Sequence, residues 1–484
     1  MNETSAPRTG QPRIVILGAG FAGHTAALHL SKLIRSHARV TVVAPRNRFT
    51  WFPSLIWVGT GTMSPEKVWF PLAPVYEKLG FEYIDGRAES IHPDDRFVEV
   101  RHADGSVENI AYEYLVNATG PYLNFEGTPG LGPKEGSTQS VCSVEHALGA
   151  RDAYLENVAQ LKKGSRRRFV IGVGHPGATC QGAAFEYIMN VDADLRRRGV
   201  RERAELIWLS NEPAAGDFGV DGVEAKIGGK VVTGSTVIDE LFQEREIKPI
   251  LAAGVTGVGK DGIAYDRVGY DPATLEYDFA MLIPQFRGIP MKYIAADGSD
   301  ITEKMTVPSG FMRVDADYTA KSYDAYRAAD WPSIYRSPSY ENLYAAGIAF
   351  APPHPLSKTL KTASGTTIVA TPTRTGMASG IMGRTVAFNI AEQVAGHPAT
   401  HHESMSEMPA ACIASMGHSI WNGSAASIVM MPVARDYERY PEYGRDLDLC
   451  ELDVGLSGAW TKRMLHEAFM WKLQAKPGWA MIPE

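Results

Sequence analysis

The chain carries the G-x-G-x-x-G spacing twice, each time directly behind an apolar, β-branched run. No other feature limits its possible folds so strongly. The first copy is Arg13-Ile-Val-Ile-Leu followed by Gly18, Gly20 and Gly23. An apolar helix pattern (Ala26, Leu28, Leu30, Leu33, Ile34) and a strand, Arg39-Val-Thr-Val-Val-Ala44, complete a βαβ unit. In such a unit the glycines let a strand turn tightly into a helix whose N-terminus faces a pyrophosphate. The second copy is Phe169-Val-Ile-Gly172-Val-Gly174-His-Pro-Gly177. It runs into a helix that closes at Arg196-Arg-Arg-Gly199, and then into the strand Ala204-Glu-Leu-Ile-Trp-Leu-Ser210. The pair predicts an α/β protein with two Rossmann-like dinucleotide-binding domains. Each copy has its own ending. The first lacks the acid expected after its second strand, reading Ala44-Pro-Arg-Asn47, so Asn47 or backbone groups are left to hold a ribose. The second ends at Asn211-Glu212 and, taken alone, would bind NAD(P)H with Glu212 on the ribose.

Three residues past Gly177 stands Cys180, placed by the pattern in the first turns of the second helix. Unpaired N–H groups and the helix dipole stabilise a thiolate there, which is the setting of a redox or nucleophilic cysteine. The alternative is a small buried residue packing helix on sheet, and this stretch alone leaves both open. The four cysteines (Cys142, Cys180, Cys412, Cys450) are too few and scattered for a disulfide scaffold or a paired C-x-x-C zinc site, so no metal is expected. They suffice for one catalytic disulfide. Gln139-Ser-Val-Cys142-Ser-Val-Glu-His146 reads as the opening of a helix with Cys142 and His146 on one face. Cys412 lies in a small-residue strand or turn, Ala410-Ala-Cys412-Ile-Ala-Ser. Cys450, among Asp446, Asp448, Glu451 and Asp453, reads as a bystander.

A net charge of -7 and the lack of a dense Lys/Arg block exclude a nucleic-acid footprint. The polar stretch from Met1 to Pro12 has no apolar core and reads as a disordered lead rather than a signal peptide. No apolar run is long enough to span a bilayer. The tail from Trp460 differs. At 100° per residue Trp460, Met464, Ala468 and Trp471 line up, Leu465 and Phe469 widen that face, and Lys462, Arg463, His466 and Gln474 fall elsewhere. Lys472 intrudes on the apolar face, from which its ammonium can snorkel. With Trp479 beyond, this is the pattern of an amphipathic helix at a membrane interface; a helix covering another subunit is the alternative. The aromatic segment Phe49-Thr-Trp-Phe-Pro-Ser-Leu-Ile-Trp57 reads as an irregular packed loop or as a wall against a flat cofactor or apolar substrate.

Three further stretches complete the pattern. Tyr112-Glu-Tyr-Leu-Val-Asn-Ala118-Thr119-Gly120 is a strand ending in the Ala-Thr-Gly that closes the first domain beside FAD in flavoproteins with two nucleotide-binding domains. Asn342-Leu-Tyr-Ala-Ala-Gly347-Ile348 is a strand ending in a glycine turn. Thr371-Pro-Thr-Arg374-Thr375-Gly376 opens a long helix whose N-terminus, with Arg374, would face an electron-rich flavin edge.

Together these pieces resemble the sulfide:quinone oxidoreductases, flavoproteins of the glutathione-reductase-like two-domain fold. The likeness runs from about Arg13 to the end of the chain. Its specific parts are Ser140-Val-Cys142-Ser-Val-Glu-His146, Gly177-Ala-Thr-Cys180-Gln-Gly-Ala-Ala-Phe-Glu186, Ala411-Cys412-Ile-Ala and the tail Lys476-Pro-Gly-Trp-Ala-Met-Ile-Pro483. The resemblance implies an FAD-binding domain from residues 1–150 and 300–395 and a second Rossmann-like domain, 151–299, carrying Cys180. Residues 396–484 would form a region with Cys412 and an amphipathic membrane-binding helix. It implies FAD on Gly18, Gly20 and Gly23, with Ala118, Thr119, Gly120, Gly347, Ile348, Arg374, Thr375 and Gly376 nearby. Cys180 and Cys412 would form the redox pair, Cys412 nearer the flavin. Cys142 matches a position linked covalently to the flavin in some members, and Glu186 and His146 match residues thought to help with protons. The implied activity is oxidation of hydrogen sulfide to sulfur or polysulfide, with electrons passing through FAD to a ubiquinone-type membrane quinone. The implied setting is peripheral, on a bacterial-type cytoplasmic membrane, as a homo-oligomer, with Trp460, Met464, Phe469, Trp471 and Trp479 at the quinone entrance. Two departures stand out. Arg374 replaces a frequent Lys, and Asp217 stands where a histidine implicated in proton handling is expected. The rival readings are a non-pumping NADH:quinone dehydrogenase, the flavin subunit of a flavocytochrome c sulfide dehydrogenase, and a flavin-bound redox sensor at the membrane.

Overall fold

The computed structural model describes residues 10–34, 36–372, 374–419 and 421–484, so most of the polar lead lies outside the described residues. The chain begins with β1 (Arg13–Leu17), α1 (Phe21–Leu33) and β2 (Arg39–Ala44), the βαβ unit expected from the first glycine spacing. β3 (Glu82–His92), β4 (Phe97–His102), β5 (Val107–Ala111) and β6 (Tyr114–Asn117) follow. A long helix, α2 (Val144–Lys162), leads to β7 (Arg167–Val173), α3 (Gln181–Arg197), β8 (Ala204–Leu209), β9 (Ile247–Ile250) and β10 (Phe279–Ile283). The chain returns through β11 (Leu343–Ala345) and α4 (Gly376–Val394). It ends in β12 (Ala410–Met416), β13 (Ser424–Met430), β14 (Glu451–Gly455) and α5 (Leu456–Leu473).

The first sheet has the order β11-β6-β1-β2-β3-β4-β5. Its first five strands are parallel and its last three form an antiparallel meander. The Asp104-Gly105 turn joins β4 to β5, with Gly105 left-handed at φ +87°. Ile14, Val15, Ile16 and Leu17 of β1 are fully buried, as a central parallel strand requires. The second sheet, β9-β8-β7-β10, is all parallel. The third, β12-β13-β14, is antiparallel and packs between α3 and α5.

Two local expectations change. The segment from Phe49 is ordered rather than loop-like: a short strand Phe49–Thr50, a 3-10 turn Phe52–Ser54 and a helical turn Leu55–Gly59, largely buried. α2 starts after Cys142, not before it. Ser143 takes the extended cap conformation and its side chain accepts a hydrogen bond from His146 N, so Cys142 and His146 do not share a helical face.

Candidate functional site

The β1–α1 loop is built to admit a dinucleotide. Gly18 is left-handed at φ +96°, and a Cβ there would lie 2.2 Å from the Ala118 carbonyl oxygen. A Cβ on Gly23 would meet the Gly18 oxygen at 2.0 Å. These two glycines serve close packing, whereas a Cβ on Gly20 would have nothing within 4 Å. Gly20 caps α1, no side chain caps that helix and no acid sits in its first turn. α4 brings a second N-terminus to the same place, since Gly376 lies against the Phe21 ring and α4 packs along α1. There Arg374 Nε and Thr375 Oγ1 are buried without a partner among the described residues. Two unpaired donors beside a cap open at Gly20 fit the electron-rich, anionic groups of FAD. Arg374 itself is clamped between the Phe311 and Phe350 rings, and its Nη1 donates to the Ile348 and Phe350 carbonyls. Burial lowers its guanidinium to about 9. It therefore fastens the Gly347-Ile348 turn through Nη1 while Nε stays unpaired among the described residues. Thr119 Oγ1 donates to Asn117 Oδ1, and Gly120 is left-handed at φ +74°. Asn47 Oδ1 already accepts the Leu72 and Ala73 N–H groups.

The second glycine loop is filled by the protein itself. Val369 N donates to Pro176 O, Thr371 N to Ala178 O and Thr371 Oγ1 to Gly177 O. Thr179 Oγ1 returns a bond to Thr371 O. Asn211 Nδ2 adds bonds to Pro176, Ala178 and Val369 oxygens. Glu212, expected to reach a ribose, is fully buried and turned inward onto Ser210 Oγ and Phe218 N. Burial pushes its carboxyl up to about 8, and Asp217 adds to the effect. Asp217 is likewise raised, to about 6, by burial, and holds Ser357 Oγ and Gly219 N.

What this loop offers instead is sulfur. Cys180 is the N-cap of α3, left-handed at φ +71°, a strained conformation for a residue with a Cβ. Cys412 on β12 points its Sγ at the first turn of α3, where a Cβ added to Gly182 would lie only 3.2 Å away. The Cys180 thiol senses both Cys142 and Cys412, so the three cysteines gather in one partly buried cluster. Burial pushes Cys180 up to about 12 and Cys412 and Cys142 up to about 11. The helix N-terminus was expected to lower the Cys180 thiol; desolvation wins. His146, lowered by its own burial, has its ring edge on Phe125 and an unpartnered Nδ1. Cys450 sits apart against the Met431 carbonyl, raised mainly by burial.

Glu186, on α3, is the polar centre beside Cys412. Its Oε1 accepts from Ser415 N and Ser415 Oγ at 3.1 and 2.6 Å, and its Oε2 from Lys462 Nζ at 2.8 Å. Asn190 and the Trp57 indole also bond Ser415. Lys462 and Ser415 were not among the residues singled out from the sequence.

α5 is turned inside out relative to a helix packed in water. Lys462, His466 and Lys472 are buried, while Trp460, Met464 and Trp471 are 55, 61 and 45 % exposed. His466 Nδ1 bonds Ser54, and Lys472 pairs with Glu484, so Lys472 does not snorkel outward. Two members of the expected apolar face also sit elsewhere. Phe469 stacks on Trp51, and Trp479 is buried beside His29 and Lys32, because the chain turns back after α5. Trp421, 85 % exposed, lies on the neighbouring loop, three residues past His418, which bonds Arg463 of α5. Among the described residues, no helix is long and apolar enough to cross a membrane and no group of three or more His, Cys, Asp or Glu could hold a metal ion.

One glycine cradle fit for FAD, facing a second Rossmann unit that presents a cysteine cluster, defines an α/β flavoprotein oxidoreductase with two nucleotide-binding folds. Residues 12–201 match the pyridine nucleotide-disulphide oxidoreductase family. The chain is 29 % identical over 404 residues to the sulfide-quinone reductase of Aquifex aeolicus, covering 84 % of this chain and 81 % of that one. The crystal structure of the sulfide:quinone oxidoreductase from Aquifex aeolicus superposes with a TM-score of 0.75 at 26 % identity, over 96 % of this chain and 92 % of that one. A mitochondrial external alternative NAD(P)H-ubiquinone oxidoreductase of Arabidopsis thaliana is 25 % identical over 292 residues, 52 % of this chain and 48 % of its own. The chain is thus an α/β flavoprotein oxidoreductase similar to the sulfide:quinone oxidoreductases over most of its length.

Proposed function

We propose that the protein oxidises hydrogen sulfide at a Cys180–Cys412 disulfide and delivers the electrons through FAD to a membrane quinone. The observation that carries this reading is Cys412 Sγ seated against the first turn of α3, directly behind Cys180. Hydrosulfide, already an anion at neutral pH, is the attacking group, and the oxidised cysteine pair is the electrophile. Hydrosulfide sulfur bonds to one cysteine sulfur of the disulfide, the S–S bond breaks, and its electron pair leaves as thiolate on the other. The products are one persulfide, Cys–S–SH, and one thiolate. Bound FAD supplies the two-electron acceptor that links this thiolate to the quinone. Each further sulfur joined to the persulfide requires another two-electron oxidation, which bound FAD and then the quinone would accept, before hydrosulfide displaces a polysulfur product. Cys142, in the same cluster, is an accessory thiol or a tether for the flavin; acid denaturation and filtration separate the two, a yellow protein fraction meaning a tether.

The exposed face of α5 supports peripheral docking on a bilayer. Trp460, Met464, Trp471 and the neighbouring Trp421 face outward while Lys462 and Lys472 of the helix are spent inside. The aromatic row from Phe21 through Trp51 to Phe469 then lines the way from the α4 N-terminus to that face. It suits an apolar quinone that never crosses water.

The filled second loop weighs against NADH as the electron donor, since residues 369–371 and Asn211 pack onto its carbonyls and the Gly177 and Ala178 N–H groups that a pyrophosphate would need are bonded to His175. The outward apolar face weighs against a purely soluble flavin subunit handing electrons to a heme partner. Anaerobic titration with sulfide and then a short-chain quinone, watching the flavin spectrum, tests the reading. Bleaching by sulfide and recovery with quinone are expected; bleaching by NADH and not by sulfide would overturn it.

A further inference from the structure

Glu186 joins three elements that the sequence keeps far apart. It belongs to α3, which Cys180 caps. Its Oε1 grips Ser415 of β12, three residues past Cys412, by both backbone N–H and hydroxyl. Its Oε2 takes the ammonium of Lys462, from the inner face of α5, at 2.8 Å, with both side chains at most 8 % exposed. A carboxylate buried to this degree needs a counter-ion and a full set of donors, and Lys462 is the cation that meets it. His418 and His466 sit nearby but are taken up by Arg463 and Ser54.

We propose that Lys462 is a positioning residue for Cys412: reaching in from the surface helix, it pins Glu186 against β12 and supplies the positive charge of the redox pocket. The proposal rests on the redox role of Cys412 given above. Burial raises the Cys412 thiol, the Glu186 carboxylate raises it further, and Lys462 acts in the opposite sense. The Cys180 thiol on the facing loop and, beyond it, the Cys142 thiol are the other titratable groups of the cluster. A thiolate released on Cys412 when the disulfide opens is therefore formed within the field of an ammonium held by the helix that carries the exposed tryptophans.

The test is residue-resolved alkylation of the reduced holoenzyme as a function of pH, read by mass spectrometry, in Lys462→Met, Lys462→Arg and Glu186→Gln. Lys462→Met is expected to move the Cys412 midpoint up by about one unit or more, Lys462→Arg to bring it back close to the native value, and Glu186→Gln to move it down. Cys450 serves as the internal reference and keeps its midpoint in all three. An unchanged Cys412 midpoint in Lys462→Met with its flavin retained would overturn the proposal and leave Lys462 as packing alone. Should Lys462→Met not fold, Glu186→Gln decides, since a midpoint that does not fall also overturns it. Alkylation needs neither sulfide nor quinone. If native enzyme shows no flavin reduction by sulfide while the midpoints shift as stated, the sulfide reading fails and the role of Lys462 stands.

Discussion

The two glycine loops share a spacing and a βαβ frame, yet they differ in whether the protein itself occupies them. In the first, Gly20 borders open space and two buried donors on Arg374 and Thr375 wait for partners. In the second, residues 369–371 and Asn211 occupy the loop's own carbonyls and Glu212 has turned into the core. The same motif has thus been put to two uses. One copy keeps its polar groups for a ligand. The other spends them on its own chain and carries Cys180 to the face of the cofactor domain. A glycine fingerprint reports backbone geometry; whether that geometry is vacant is decided by what packs on it.

The sharpest way to break this comparison is to remove sulfur from the second loop. Cys180→Ser or Cys412→Ser should abolish flavin reduction by sulfide in stopped-flow while the FAD remains bound. Next comes Gly20→Val. Gly20 has φ -80° and ψ -164°, open to a β-branched residue, and a Cβ meets nothing in the protein. The variant should fold with a near-native melting temperature and carry no flavin. Retention of flavin there would show that the first loop is not the cradle.

A smaller effect is expected on the outward face of α5. Replacing Trp460, Met464 and Trp471 by Ser should weaken vesicle binding about a hundredfold, at roughly 1 kcal/mol for each part-exposed side chain. It should slow turnover with long-chain quinones more than with short ones and leave single-turnover reduction by sulfide intact. Truncating from residue 460 is a poorer experiment, because it also removes the buried Lys462, His466 and Lys472.

The smallest effect sharpens the second loop. Glu212 has a folded value near 8 against an ordinary 4.5, so the folded state binds its proton more tightly than the unfolded chain. Its contribution is full below pH 4.5, declines as pH rises and is lost above about 8. Glu212→Gln should flatten the melting temperature across that window. An unaltered slope would mean that the carboxyl is not held inward.

Local pattern made much of the fold legible. The strand and helix runs around Gly18 and Gly172, the turn at Asp104-Gly105 and the helix from residue 376 all follow from short-range spacing. The tail helix was legible as two-sided, but its direction was not. Periodicity separates a polar side from an apolar one and is silent about which faces the core. Water would bury the apolar side, and here the polar side is inside because Glu186, Ser54 and Glu484 lie there to receive it. Glu186 and Lys462 stand 276 positions apart, so no local rule pairs them. The high Cys180 value escaped for a related reason. A helix terminus can be read from sequence, whereas burial cannot, and burial is the larger influence.

The placement of β11 has a consequence for how the protein is made. This strand completes the first sheet by pairing with β6, and α4 behind it closes against α1, where a Cβ on Gly383 would lie 2.2 Å from the Ala22 oxygen. The cradle that starts near the first residues is thus walled by segments translated after the whole second unit. At roughly 5–20 residues per second, the early βαβ unit waits tens of seconds on the ribosome for its other half. The flavin cradle can therefore close only late, after the intervening unit has been translated, and the residues 369–371 that pack the Cys180 loop arrive in the same late stretch as α4.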